Sequence, residues 1–265
     1  MRRTAAVALS LLCLGGGAFA ACPNWYVAQP TGFLFIRPLM ADLDGDGRPD
    51  AISFGRGIGV AWGPAYVSTT TVRDSFFFNT VTTGDFDGDG RVDIAAGTER
   101  LGNPLEIFLN LGGRKFDKPR FIFTWLPVRM VAADLDGDRF SDLIFINDLN
   151  ELVTIRNNSS GDFEAPVPLH LAARPTLLIG ADFDGDRRTD AAYIDRDADN
   201  VLRTTNGWSF TAPGAIKAAV AADLDRDGRP DLALVAGDRV VLLRTIAGGF
   251  ETIAELVPGA APTGV

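Results

Sequence analysis

The stretch Asp42-Leu43-Asp44-Gly45-Asp46-Gly47-Arg48-Pro49-Asp50 determines how the rest of the chain is interpreted, because its pattern recurs four more times. The later copies begin at Asp85, Asp134, Asp182 and Asp223, so successive loops start 43, 49, 48 and 41 residues apart. Repeats of this length, built from short apolar runs and turns, are typical of β-propeller blades. We number the loops 1 to 5 in chain order.

Each loop places aspartate at its first, third, fifth and ninth positions. Carboxylates this close repel one another unless a cation lies among them, and calcium accepts six to eight oxygen ligands at flexible angles. The pattern therefore predicts up to five Ca²⁺ ions, each bound by four carboxylates and the backbone carbonyl of the seventh residue. The predicted ligands are Asp42, Asp44, Asp46, Arg48 and Asp50; Asp85, Asp87, Asp89, Arg91 and Asp93; Asp134, Asp136, Asp138, Phe140 and Asp142; Asp182, Asp184, Asp186, Arg188 and Asp190; and Asp223, Asp225, Asp227, Arg229 and Asp231.

The loops open like an EF-hand, but an EF-hand needs an acid at position 12 and a helix on each side. Position 12 holds Ser53, Ala96, Phe145, Tyr193 or Leu234, and the flanking apolar runs are too short for helices. The repeats instead resemble the FG-GAP/VCBS repeats of integrin-type β-propellers. This resemblance implies an all-β fold in which the calcium loop joins the first and second strands of each blade.

The predicted fold is one β-propeller domain over residues 22–265, with five four-stranded blades filling about positions 35–257. The first strands end at the loops and the second strands follow the ninth position. A Gly- or Asn-rich turn followed by an aromatic residue is expected to open the fourth strands, at Phe116, Phe163, Phe210 and Phe250. The segment Trp25–Pro30 is predicted to be a spare strand that pairs with the last blade and closes the ring.

The loops differ at their sixth position, which is glycine in loops 1, 2 and 5 but Arg139 and Arg187 in loops 3 and 4. If this position is left-handed, a residue with a side chain costs about 1–2 kcal/mol there. Weaker calcium binding is therefore expected at loops 3 and 4. Arg226 replaces the glycine at position 4 of loop 5, and we expect a smaller effect because its side chain can point to solvent.

Residues 1–21 have the pattern of a bacterial export signal, with two arginines, a short apolar run and small residues before the cleavage site. The apolar run is too short to span a membrane. Signal peptidase could cleave after Ala20, or the signal could end before a lipid-anchored Cys22, because Phe19-Ala20-Ala21-Cys22 resembles a lipobox. The protein is therefore expected to be secreted, periplasmic or lipid-anchored to the bacterial envelope.

The charge is concentrated in the loops, which hold 20 of the 34 acidic residues of a chain with a formal net charge of −9. A balance of this kind argues against a nucleic-acid partner. His170 is the only histidine, and the clustered carboxylates are assigned to metal, so we predict that the protein is not an enzyme. A polysaccharide lyase or hydrolase using calcium and a basic residue is the minor alternative.

The expected function is recognition, adhesion or scaffolding by a monomer whose calcium is mainly structural. A protein partner is favoured over a glycan because Trp62, Trp125 and Trp208 do not occupy equivalent positions in the repeats. The alternative is a calcium-dependent, lectin-like propeller. The resemblance implies that ligands bind on the face opposite the calcium loops, where Arg56, Arg100 and Trp125 are the first candidates.

Overall fold

The computed structural model describes residues 39–257, apart from positions 100, 101, 103, 160 and 172. The export signal, Cys22, the segment Trp25–Pro30 and Arg100 lie outside these residues, so the expectations for them remain predictions. Within the described residues the regular secondary structure consists of β-strands, as expected for an all-β fold. These residues contain no helix that is long and apolar enough to cross a membrane.

Twenty strands follow one another along the chain. The first ten are β1 (Leu39–Ala41), β2 (Asp50–Ala61), β3 (Thr69–Gly84), β4 (Asp93–Thr98), β5 (Pro104–Phe108), β6 (Asn110–Gly112), β7 (Lys115–Phe116), β8 (Arg120–Phe123), β9 (Pro127–Ala133) and β10 (Asp142–Asn147). The others are β11 (Leu152–Ile155), β12 (Val167–Leu169), β13 (Pro175–Ala181), β14 (Asp190–Asp195), β15 (Ala198–Thr204), β16 (Ser209–Thr211), β17 (Ile216–Ala222), β18 (Asp231–Ala236), β19 (Arg239–Ile246) and β20 (Gly249–Leu256).

The last three repeats each form a separate four-stranded antiparallel sheet. Their strand orders are β12-β11-β10-β9, β13-β14-β15-β16 and β17-β18-β19-β20. The first two repeats share a six-stranded sheet of order β1-β2-β3-β4-β5-β8, because β3 is long enough to pair with β2 in repeat 1 and with β4 in repeat 2. The strands before and after each loop therefore lie where the aspartate pattern predicted them.

The second and third strands expected in repeat 1 are joined in the single long strand β2. Positive φ angles at Gly55 (134°) and Gly57 (99°) and a hydrogen bond from Ser53 Oγ to Gly59 O (3.1 Å) accompany a bend within it. Glycine at both positions permits this backbone conformation, which residues with side chains rarely adopt.

The expectation for the fourth strands was wrong in repeats 2 and 3. Phe116 belongs to a small ribbon formed by β6 and β7, and Phe163 forms one isolated bridge with Asn157. The strands that complete these sheets, β8 and β12, begin later at Arg120 and Val167. Both are short and contain no buried residue, so they lack the apolar alternation by which a strand can be identified in a sequence.

The core is divided into four apolar clusters, and each cluster joins consecutive repeats. One representative pair of buried side chains from each is Ile52 and Ile94, Leu105 and Leu143, Ile144 and Ala191, and Ile194 and Leu234. Each is at most 2% exposed. Burial on both faces of the second strands explains why these strands are almost entirely apolar.

Candidate metal centre

Each aspartate-rich loop is closed at its base by one residue pair of an antiparallel ladder. The ninth residue pairs with the residue that precedes the first aspartate, and these pairs are Ala41 with Asp50, Gly84 with Asp93, Ala133 with Asp142, Ala181 with Asp190 and Ala222 with Asp231. All five loops are therefore held in the same frame between a first and a second strand.

The loop backbone wraps around its own carboxylates. In loop 1 the Asp42 carboxylate accepts hydrogen bonds from the N–H groups of Gly45 (2.9 Å) and Gly47 (2.8 Å), and Asp46 accepts one from Arg48 (2.9 Å). The bonds from position 6 to position 1 and from position 7 to position 5 recur in the other four loops. This wrapping fixes the direction in which the first and fifth carboxylates point.

Three carboxylates converge in every loop, with one oxygen from each lying within 4.8 Å of the others. The converging residues hold positions 1, 3 and 9 in loops 1 to 4: Asp42, Asp44 and Asp50; Asp85, Asp87 and Asp93; Asp134, Asp136 and Asp142; Asp182, Asp184 and Asp190. In loop 5 they hold positions 1, 3 and 5, as Asp223, Asp225 and Asp227. A donor set made only of oxygens fits a hard cation such as Ca²⁺ or Mg²⁺ and does not suit a soft metal.

The aspartate at the ninth loop position also holds the loop together. Asp93 is fully buried, and its two oxygens accept hydrogen bonds from the N–H groups of Phe86 (2.8 Å) and Asn110 (2.7 Å). Asp50, Asp142 and Asp231 make the equivalent pair of bonds. This residue therefore connects the second loop position to the residues that follow or end the third strand.

Burial raises the pKa of three of these aspartates, Asp93, Asp142 and Asp190, to about 6. Ionised aspartates of the same loop raise the pKa further, and the hydrogen bonds from backbone N–H groups oppose both effects. A cation placed among the carboxylates would act in the opposite direction and favour their ionised form.

Several polar partners of the loops were not predicted from the sequence. Arginines lie beside the aspartate at the third position of three loops: Arg114 with Asp44 (2.8 Å), Arg156 with Asp136 (3.7 Å) and Arg244 with Asp225 (4.0 Å). Arg156 follows β11, Arg244 lies within β19 and Arg114 lies in the turn between β6 and β7. Arginine is so common on surfaces that these positions alone carried no signal. A hydrogen bond from Ser159 also lowers the pKa of Asp138.

Two buried asparagines join neighbouring repeats. Asn110 Nδ2 donates to Leu43 O of loop 1 (2.6 Å), and Asn157 Nδ2 donates to Phe86 O of loop 2 (2.7 Å). Each asparagine lies two residues after the end of a third strand and precedes a glycine-containing turn, which is the sequence signal that could have identified them.

The sixth loop position is left-handed in every loop, which is the condition on which weaker calcium binding at loops 3 and 4 was expected. The φ angles are 80° at Gly47, 81° at Gly90, 77° at Arg139, 71° at Arg187 and 88° at Gly228. Two arginines therefore occupy a conformation that favours glycine.

The expectation for Arg226 was incomplete, because its φ angle of 66° is also left-handed. An exposed side chain does not relieve the contact between its Cβ and the backbone, so loop 5 carries the same type of strain as loops 3 and 4. Only loops 1 and 2 have glycine at both left-handed positions.

An Arg139→Gly substitution is expected to stabilise the protein by about 0.5–1 kcal/mol. Relief of the left-handed conformation contributes about 1–2 kcal/mol, and the greater freedom of glycine in the unfolded chain offsets part of it. Urea denaturation at fixed calcium measures the change. Arg48→Gly is the matched control, because the φ angle of Arg48 is not positive, and it should be slightly destabilising. Equal shifts in the two variants would contradict the assignment of strain.

The other residues selected from the sequence have different surroundings. Trp62 is 1% exposed and packs in the core, and Trp208 is half-buried against the cluster between repeats 4 and 5. Trp125, Arg56 and His170 are exposed. Trp62 is therefore a core residue, while Trp125 and Arg56 remain accessible to a ligand.

Comparison with known protein families identifies the repeats. The profile described as the FG-GAP-like repeat matches residues 85–145, 134–193 and 182–234, which together include loops 2 to 5. The chain belongs to the FG-GAP-like repeat family. The comparison with curated proteins gave no match.

Solved structures with a similar fold bind different classes of ligand. A lectin from Agrocybe aegerita, described as recognising non-reducing terminal N-acetylglucosamine, is 19% identical with a TM-score of 0.60, and the alignment covers 84% of this chain and 66% of the lectin. BBS1N in complex with ARL6DN is 15% identical with a TM-score of 0.56 and coverage of 80% and 64%. The BP39L lectin from Burkholderia pseudomallei is 14% identical with a TM-score of 0.65 and coverage of 83% and 69%. The first two alignments thus span less than two thirds of the chains matched, and identities this low show the fold alone.

Proposed function

We propose that this FG-GAP-like repeat protein is an exported, calcium-binding β-propeller of five four-stranded blades that acts as a monomeric recognition module. The observation that carries the proposal is the repeated hairpin base with three converging carboxylates in all five loops. The proposal includes no catalytic activity, because the clustered acids are assigned to the metal.

Calcium would have a mainly structural role. The carboxylates and the carbonyl of the seventh residue nearly fill a calcium coordination shell, which leaves little room for a bridging ligand. Each ion would stabilise the loop between the first and second strands. At a calcium concentration ten times the dissociation constant, one site adds about 1.4 kcal/mol, so five sites would add about 7 kcal/mol. That is comparable to the total stability of about 5–15 kcal/mol of an ordinary domain.

The sheet ends opposite the calcium loops have the character of a protein-binding surface. Phe123 is 72% exposed and Leu149 62% exposed, and both lie at this end, where β8 meets the start of β5 and where β10 turns into β11. Phe77 and Trp125 add exposed aromatic side chains. Large exposed apolar groups of this kind are common at protein interfaces, where aromatic residues contribute much of the binding energy.

A glycan is the alternative ligand, and one open cleft of about 500 Å³ favours it. The cleft lies between β8 and the segment 161–166 of the next repeat. It combines the apolar side chains of Ile122 and Phe163 with the charged side chains of Arg120, Asp162 and Glu164. Apolar surface beside a few hydrogen-bonding groups suits a sugar, although the Arg120 guanidinium already donates to Gly161 O (2.7 Å).

The proposal can be tested by measuring calcium binding and then screening for ligands. Calorimetry of the metal-free protein should show about five bound Ca²⁺ ions, and a glycan array probed with the calcium-loaded protein should stay blank. Affinity capture from envelope extracts should then yield a partner whose binding is lost in Leu149→Asp, which lies outside the cleft, and retained in Glu164→Gln.

Two results would require revision. Saturable array binding that is lost in Glu164→Gln but kept in Leu149→Asp would replace the protein partner with a glycan. The absence of calcium binding by folded protein would overturn the metal assignment.

A further inference from the structure

Neighbouring loops in the middle of the chain are joined by backbone hydrogen bonds. Ser141 N, at position 8 of loop 3, donates to Asp85 O, at position 1 of loop 2, over 2.9 Å. Thr189 N of loop 4 donates in the same way to Asp134 O of loop 3 over 2.6 Å. Each bond ends on the aspartate that begins the preceding loop.

The peptide group that forms each bond also carries a predicted calcium ligand. The carbonyl of Phe140 is the seventh-position ligand of loop 3, and it belongs to the same planar amide as the N–H of Ser141. A cation on the carbonyl side polarises this amide and strengthens its N–H as a donor to Asp85 O. Arg188 and Thr189 form the corresponding amide between loops 4 and 3.

Side chains reinforce the contacts between these three loops. The Phe140 ring covers Gly88 of loop 2 so closely that a Cβ added to Gly88 would lie 2.5 Å from the ring. The Arg188 side chain covers Gly137 of loop 3, where an added Cβ would lie 3.7 Å from the Arg188 side chain. A Cβ added to Gly45 of loop 1 or to Gly185 of loop 4 would have no atom within 4 Å. Loop 2 would cover Gly45 and loop 5 would cover Gly185 if they contacted the preceding loop in the same way.

Loops 1 and 5 lack this backbone connection. Position 8 of loop 5 is Pro230, which has no N–H to donate to Asp182 of loop 4. Val92 N of loop 2, although described in the structure, makes no backbone hydrogen bond to Asp42 of loop 1. Loops 1 and 2 contact each other through side chains instead, by way of Asn110 and Arg114.

We propose that loops 2, 3 and 4 bind calcium as one positively cooperative unit, whereas loops 1 and 5 bind independently. This inference rests on the proposed calcium function. An ion that orders one of the three loops fixes a peptide group or an acceptor carbonyl of its neighbour, so the next ion binds to a loop that is already partly ordered.

The test is a calcium titration of the full chain by calorimetry, comparing variants that disable one loop. Asp87→Asn in loop 2 should weaken the sites of loops 3 and 4 by about five- to hundredfold, the usual range of coupling between sites. The equivalent Asp44→Asn in loop 1 should leave the other four affinities unchanged. In a Ser141→Pro background, Asp87→Asn should no longer weaken loops 3 and 4.

Proline is suited to this purpose because it already occupies position 8 in loops 1 and 5. Ser141→Ala retains the N–H and should preserve the coupling, and Val92→Pro should change nothing beyond loop 2. If Ser141→Pro does not fold, Thr189→Pro provides the same comparison between loops 3 and 4, with Asp184→Asn as the disabling change.

The outcomes separate the two proposals. Five independent sites whose affinities do not respond to Asp87→Asn would overturn the coupling and leave the calcium function intact. A folded wild-type protein that binds no calcium would overturn both.

Discussion

An Asp142→Ala variant is expected to lose about 2–5 kcal/mol of unfolding free energy even in metal-free buffer. The Asp142 carboxylate is fully buried and accepts hydrogen bonds from Leu135 N (2.8 Å) and Asn157 N (2.6 Å). Its removal leaves two N–H groups at the base of loop 3 without acceptors, and each such group costs about 1–3 kcal/mol when buried. Urea denaturation of metal-free protein measures the loss.

Two further variants separate the structural role of this residue from metal binding. Asp136→Ala removes a third-position carboxylate that is 28% exposed and makes weaker contacts, so the metal-free protein should change by no more than about 1 kcal/mol. Asp142→Asn keeps one acceptor oxygen and should lie between the two. In calcium, all three variants should lose additional stability. Equal losses of unfolding free energy for Asp136→Ala and Asp142→Ala in metal-free buffer would show that the aspartate at position 9 has no special structural role.

The strands next to the loops could be predicted because the aspartate pattern fixes them. Once position 9 is known, the pairing of Ala133 with Asp142 and its equivalents determines where the first strand ends and the second begins. The left-handed geometry of position 6 was predictable for the same reason, since glycine occurs there in three of the five loops. Glycine at position 4 in four of the five loops carries the same signal. The strain at Arg226 was missed because only the exposure of its side chain was considered and not the φ angle of its backbone.

The fourth strands and the contacts between repeats could not be predicted in the same way. The aromatic residue after each turn is a local signal, but Phe116 and Phe163 satisfy it with a ribbon and a single bridge. The bond from Asn157 to Phe86 O joins residues 71 positions apart. Contacts of that length depend on how consecutive sheets pack, and no periodicity in the sequence encodes them.

Metal-free protein is expected to become less stable as the pH rises from about 4 to 7, and calcium is expected to reverse this dependence. In the folded metal-free state, burial raises the pKa of Asp93, Asp142 and Asp190 to about 6, from 3.8 in an ordinary carboxyl. The folded protein therefore binds more protons than the unfolded chain between these values. The stabilisation is fully present below about pH 4 and is lost as the pH rises through about 6.

The expected size of this effect follows from the shift at the fully buried groups. One pKa unit corresponds to about 1.4 kcal/mol, so Asp93 and Asp142 would each contribute on the order of 2–3 kcal/mol, and the partly exposed Asp190 less. Calcium binds the ionised carboxylates, so it must displace these protons at low pH. The stabilisation by calcium should therefore be small near pH 5 and approach its full size above pH 7.

Melting temperatures of dialysed, metal-free protein and of calcium-loaded protein, measured at intervals from pH 4.5 to 8, test both halves of this prediction. The two curves should diverge as the pH increases, with the metal-free curve falling and the calcium-loaded curve rising. Asp142→Asn removes one titrating group and should flatten the metal-free curve. A metal-free protein that gains stability between pH 5 and 7 would contradict this prediction. It would mean that Asp93, Asp142 and Asp190 are ionised in the folded protein. The repulsion among the loop carboxylates would then be relieved by the neighbouring arginines and not by protons.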